Sequence, residues 1–103
     1  MSDPQAKASF LKAARGVLAY LEMYGEKHWA EMVTHALSFE GQADKQMYAL
    51  YFGFHRSTGG INTVDLAKNG ANPHDAEQFR NMSIVAYRLA FFLKDDKPIP
   101  PGI

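Results

Sequence analysis

Three side chains with metal-ligating chemistry, His28, Glu31 and His35, lie three and four residues apart on one predicted helix. At 3.6 residues per turn they fall within about 60° of one another, so two imidazoles and a carboxylate share a face. Such a face could hold a transition metal, but a working site needs further ligands and a supporting shell. The zincin pattern, two histidines four apart with glutamate directly after the first, is absent. The competing reading is a solvated face opposite Trp29, Met32 and Val33, with a modest intrahelical contact between Glu31 and His35. These residues define a candidate metal face and no catalytic residue.

A second group is the run His55, Arg56, Ser57, Thr58, Gly59 and Gly60. A cation, two hydroxyls and two glycines can cradle an anion on backbone amides. The spacing is not that of a phosphate loop, and no predicted strand precedes it. In the ordinary reading the glycines supply turn dihedrals and Arg56 is exposed. Ser57, His55 and Asp65 supply the side-chain types of a hydrolytic triad, but the nucleophile-elbow sequence is missing. The chain also lacks a di-iron helix pair, a glycosidase-like pair of acids and a Rossmann glycine fingerprint. No cofactor is expected.

The aromatic residues Tyr48, Tyr51, Phe52 and Phe54 could form a base-stacking platform. With no basic residue interleaved, they read instead as core. Lysine plus arginine and aspartate plus glutamate number eleven each, so no net field draws the chain to a phosphate backbone or an anionic membrane. Nucleic acid and membrane are therefore not expected as partners. The chain contains no cysteine, which excludes disulfides and thiolate zinc sites and fits a cytoplasmic setting.

The elements that must position these groups are helical. Asp3 and Pro4 give a cap and first-turn proline for a helix over Asp3 to Tyr24, with Phe10, Leu11, Ala14, Val17, Leu18 and Leu21 at helical spacing. Gly25 ends it, and a short amphipathic helix resumes with Trp29, Met32, Val33, Ala36 and Leu37 before Gly41, antiparallel to the first. A third helix spans Gln42 to about Phe54, striped by Met47, Leu50, Tyr51 and Phe54. The next eighteen residues, His55 to Asn72, hold Gly59, Gly60 and Gly70 and read as a long ordered loop, with a short extended or single-turn piece around Thr63 to Ala67.

Asn72, Pro73 and Asp75 then form a cap, a first-turn proline and an early acid that open a fourth helix through Phe79, Met82, Ala86, Leu89, Ala90 and Leu93. Ile84, Val85, Tyr87, Phe91 and Phe92 widen its apolar stripe beyond half the circumference, which suits a central helix or one shared with a second copy. The segment from Asp95 to Ile103 has three prolines and cannot continue the helix; Pro98, Ile99, Pro100 and Pro101 suit an extended tail able to dock on an aromatic groove. The expected fold is all-α, a compact single domain over residues 1–103, built as a bundle of about four helices with one glycine-rich loop between the third and fourth.

The run Gly25, Glu26, His28, Trp29, Ala30, Glu31, followed by Phe52-Gly53 and by a Gly60-Ile61-Asn62 loop ending at Leu66, resembles a family of small bacterial helical proteins of unknown function. The likeness covers about residues 17–93. It departs from the pattern at Thr63, where an acid is expected, and in a longer stretch from Phe54 to Thr58. The resemblance implies a helical fold with a glycine/asparagine loop before the last helix. Comparably small cysteine-free bacterial proteins serve as immunity partners, an analogy of type.

The expected function is a non-enzymatic protein-interaction module, of inhibitor or immunity type. Its contact surface is the His55 to Asn72 loop, with Arg56, Asn62 and Asp65 as contact residues. The alternatives are a small-ligand or metal-dependent enzyme using His28, Glu31 and His35, and a structural homodimer formed through the fourth helix.

Overall fold

The structure is a computed structural model that describes residues 4–56 and 59–102. Four α-helices, α1 (Pro4–Met23), α2 (Lys27–Leu37), α3 (Asp44–Phe54) and α4 (Pro73–Leu93), form an all-α bundle with no strand among the described residues. The Asp3 cap lies outside them. None of the helices is long and apolar enough to cross a membrane.

Helix α1 buries Phe10, Ala14, Val17 and Leu21, the stripe that the spacing predicts, and packs chiefly against α4. It stops because Gly25 takes a left-handed conformation at φ +77°, from which the Glu26 amide donates back to the Leu21 carbonyl at 2.8 Å. The chain reverses within three residues, and α2 lies against both α1 and α3. At the other end of α1, Lys7 pairs with Asp44 at 2.8 Å, and Arg15 reaches Glu40 at 2.6 Å. Lys7 holds the Asp44 carboxyl below the ordinary carboxylate range.

The core is aromatic. Phe10 is fully buried and meets Tyr48 and Tyr51 edge-on, with ring centroids 5.0 and 5.5 Å apart. Tyr48 and Tyr51 are completely buried, and neither phenol oxygen has a hydrogen-bond partner. Desolvation raises both phenol pKa values, that of Tyr48 to about 12, aided by the carboxylates of Asp44, Asp96 and Glu40.

Between α3 and α4 the chain forms two short 3-10 turns, Ile61–Thr63 and Leu66–Asn69, joined by extended Val64 and Asp65. The single short piece expected around Thr63 to Ala67 is thus the junction between two turns. Each turn plants one apolar anchor, Ile61 and Leu66, into the core. Gly70, at φ +92°, closes the second turn. Asn69 then ties the connection to the α1–α2 corner, donating to the Tyr24 carbonyl at 3.0 Å and to Glu26 Oε1 at 2.8 Å. Tyr24 adds a hydrogen bond from its hydroxyl to Asp75 Oδ2 in the first turn of α4, and that bond holds the Tyr24 phenol pKa above its ordinary value.

Helix α4 opens as its sequence requires: the Asn72 side chain accepts from the Asp75 amide at 2.8 Å, with Pro73 in the first turn. Replacing Asn72 by alanine is expected to cost about 1 kcal/mol, read as a drop of about 4 to 8 °C in Tm for a domain of this size. Asn72→Asp should restore most of the loss in the same circular-dichroism melt.

Candidate functional site

The two 3-10 turns do not lie flat on α4, because Ile61 and Leu66 reach inward while the backbone between them stays extended. A cleft of about 480 Å³ opens between this connection and the first half of α4. Its deep wall is Ile61, Leu66, Phe79 and Ser83, all buried. Its rim carries exposed Asn62, Thr63, Asp65, Arg80 and Ile84, and half-buried His55 closes one side.

Two cleft residues carry polar atoms without hydrogen bonds, Ser83 Oγ and His55 Nε2, both shielded from solvent. Buried polar groups are nearly always paired, so each costs about 1 to 3 kcal/mol relative to a satisfied one. Ser83 approaches the Tyr51 phenol closely enough to oppose the rise of its pKa, at a geometry short of a full hydrogen bond. His55 is held between rings, 5.1 Å from Tyr51 and 4.8 Å from Tyr87. Burial among them pulls its pKa down to about 4, so the imidazole is neutral near pH 7.

Beyond His55 the surface continues as an aromatic face. Tyr87 stacks on Phe52 at 5.0 Å with the planes 7° apart, and Phe91 lies 5.9 Å further along. Arg56 sits over the Phe52 ring at 5.7 Å, Lys94 over Phe52 at 5.0 Å, and Lys97 over Phe91 at 4.8 Å. Ile84, Val85 and Phe91 remain 40%, 38% and 37% exposed, and all three belong to α4. The cleft and this face meet at Ile84.

Of the contact residues expected from sequence, Asn62 and Asp65 line the cleft. Asp65 also braces its loop, its Oδ1 accepting from the Ala67 amide at 3.1 Å. Arg56 stands apart from the cleft walls, on the aromatic face. The expectation that Phe52 is core, like Tyr48, Tyr51 and Phe54, requires correction: it is half-buried, packs against the core, and carries two cations over its ring, Arg56 from four residues on and Lys94 from just after α4. Ser57 and Thr58, members of the proposed anion cradle and triad, lie outside the described residues.

The α2 face does not form a metal site. Among the described residues no three histidine, cysteine, aspartate or glutamate side chains are grouped to hold an ion. The reason is axial: seven residues of helix put His28 and His35 about 10 Å apart along the axis. His28 turns its ring edge to Trp29 at 5.0 Å, and His35 does the same to Phe39 at 5.3 Å.

Sequence reasoning missed Ser83, Arg80 and Ile84 as site residues. A signal for Ser83 was present, since it falls on the buried stripe of α4 between Phe79 and Ala86, a polar residue at a core position. Comparison with known proteins finds no family model that matches the chain and no similar curated protein or solved structure.

The low pKa of His55 makes stability pH-dependent in a defined window. The unfolded chain takes up a proton near pH 6.5 and the folded one only near pH 4, so stability is full above about pH 6.5 and falls as pH drops towards 4. The loss should amount to about 3 kcal/mol. The lowered carboxyls of Asp44 and Asp95 respond below that window, because their pKa values lie under the ordinary carboxylate range. Urea unfolding of His55→Phe at pH 7 and pH 4.5 should show a smaller pH effect than the parent; equal slopes would assign the dependence elsewhere.

Proposed function

We propose that the protein is a non-enzymatic recognition module that binds another protein through the exposed face of α4 and the adjoining cleft. The observation that carries this reading is the pairing of exposed large apolar side chains with a concave site: Ile84 and Phe91 share one face of α4 beside the cleft, with Val85 exposed on its flank. Aromatic, isoleucine and arginine side chains around a pocket are the composition of interface hot spots. Asn62 and Asp65 at the rim contribute polar contacts, and Arg56 flanks the aromatic side.

An inhibitor or immunity-type role is the specific form of this proposal, in which the partner would be a toxin or enzyme whose surface is covered. Membership of the small bacterial helical family rests on the His28-Trp29-Ala30 helix and the Gly60-Ile61-Asn62 loop and belongs to the same proposal. So does a cytoplasmic setting, supported by a core that uses no cysteine.

Ile84→Arg tests the reading. The side chain is exposed, so the variant should melt within about 2 °C of the parent, surface changes being nearly neutral. A partner retained by the parent immobilised as bait should be lost from the Ile84→Arg bait. Retention of the same partners by both would remove this face from the function.

One observation favours a second reading, small-ligand binding: the orphaned Ser83 Oγ and His55 Nε2 at the cleft. This moves the small-ligand alternative from the α2 face to the cleft. It expects phenol, titrated to millimolar concentration, to shift the amide resonances of Asn62 and Ser83 saturably, and Ser83→Ala to weaken that binding.

A further inference from the structure

We infer that the segment of the partner protein seated on α4 is an acidic amphipathic stretch, with carboxylates for Arg80 and Arg88 and an apolar side chain between them over Ile84. The inference rests on the proposed protein-recognition role and names the chemistry of its partner. Arg80, Ile84, Arg88 and Phe91 are spaced by four, four and three residues, so they fall within an arc of about 80° and form one stripe. All four are exposed. The two arginines are two helical turns apart, about 12 Å along the axis at 1.5 Å per residue.

Charge decides the occupant. Among the described residues Arg56, Arg80 and Arg88 form no ion pair, whereas the neighbouring lysines are already committed, Lys94 to Asp95 at 2.6 Å and Lys45 to Asp96 at 2.7 Å. Of the nearby acids, Asp95 takes Lys94 and Lys97 and Asp65 takes a backbone amide, while exposed Glu77, one turn before Arg80, forms no ion pair with it. In a chain with equal numbers of acids and bases, this leaves guanidinium groups unneutralised beside exposed aliphatic surface. A guanidinium fork pairs best with a carboxylate, in a two-bond geometry that lysine cannot match.

The other occupants fit less well. A second copy packed through this stripe about a two-fold axis near Ile84 would bring Arg80 against the copy's Arg88, like charge on like, while the acid on the stripe, Glu77, would face the copy's Phe91. A single-stranded nucleic acid needs a free ring to stack on. Phe52 is already stacked on Tyr87 with Lys94 and Arg56 over it, Phe91 lies under Lys94 and Lys97, and the centre of the stripe is aliphatic.

The test places a photo-reactive benzoylphenylalanine at position 85, beside the stripe, and cross-links the full chain in the cell that makes it. Three backgrounds are compared, the parent, Arg80→Glu with Arg88→Glu, and Arg80→Lys with Arg88→Lys, each checked for helicity and melting temperature. The expected result is a cross-link to another protein, mapped to a segment with at least two acidic residues about 12 Å apart, about seven or eight positions in a helix or about four in an extended strand. Its yield should fall at least about tenfold on charge reversal and less than about threefold with lysine, and it should weaken as salt is raised. A mapped segment that is neutral or basic, or a yield unmoved by charge reversal, overturns the acidic-partner inference and leaves the recognition role standing. Cross-linking only to a second copy, to nucleic acid, or to nothing overturns both.

Discussion

The edge-on packing of Phe10 against Tyr48 and Tyr51 joins α1 to α3 across the centre of a bundle whose backbones meet chiefly through α1 against α4. Three large rings, all fully buried, fill the centre of a chain of 103 residues that has no disulfide to assist it. The cost is visible in the same residues, since two phenol hydroxyls are taken out of water without a hydrogen bond in return. From Tyr51 the ring contacts run outward through His55 to Tyr87 and Phe52, so the core packing sets the position of the aromatic surface.

The connection between α3 and α4 shows how a segment rich in turn residues is made definite. Two apolar side chains, Ile61 and Leu66, anchor two short turns, and Asn69 with Tyr24 stitches the segment to the opposite corner of the bundle and to the start of α4. The extended residues between the anchors cannot follow the curvature of α4, and the cleft is the space that results. The site is thus a by-product of loop anchoring, with its orphaned polar groups at the point where core and surface meet. Natural sequences tolerate such local conflicts mainly where function is at stake, which agrees with a binding role for this region.

Helix α4 serves two surfaces at once. One face, with Phe79, Ala86, Leu89, Ala90 and Leu93, is buried against α1 and α3; the other exposes isoleucine and phenylalanine beside arginines. That arrangement accounts for an apolar stripe wider than the bundle needs. On the same side Tyr87 stacks on Phe52 with Lys94 over the ring.

The sequence by itself determined the four helices, their stops and the α4 cap. These depend on local chemistry, hydrophobic spacing, Gly25, and the Asn72-Pro73 start, which act over a few residues. It also determined that Tyr51 and Phe54 are core, because their spacing already placed them on one stripe, whereas Tyr48 lies off that stripe and is nonetheless fully buried. Only the tertiary structure decided that Phe52 is half-exposed, with Lys94, some forty positions away, over its ring. The same holds for the cleft, where His55, Asn62 and Asp65 meet Arg80 and Ser83 across the chain. Sequence spacing states which residues share a face of one helix, but it carries no information on which faces of different elements meet. That is set by which packing buries the most ring surface with the fewest unpaired polar atoms.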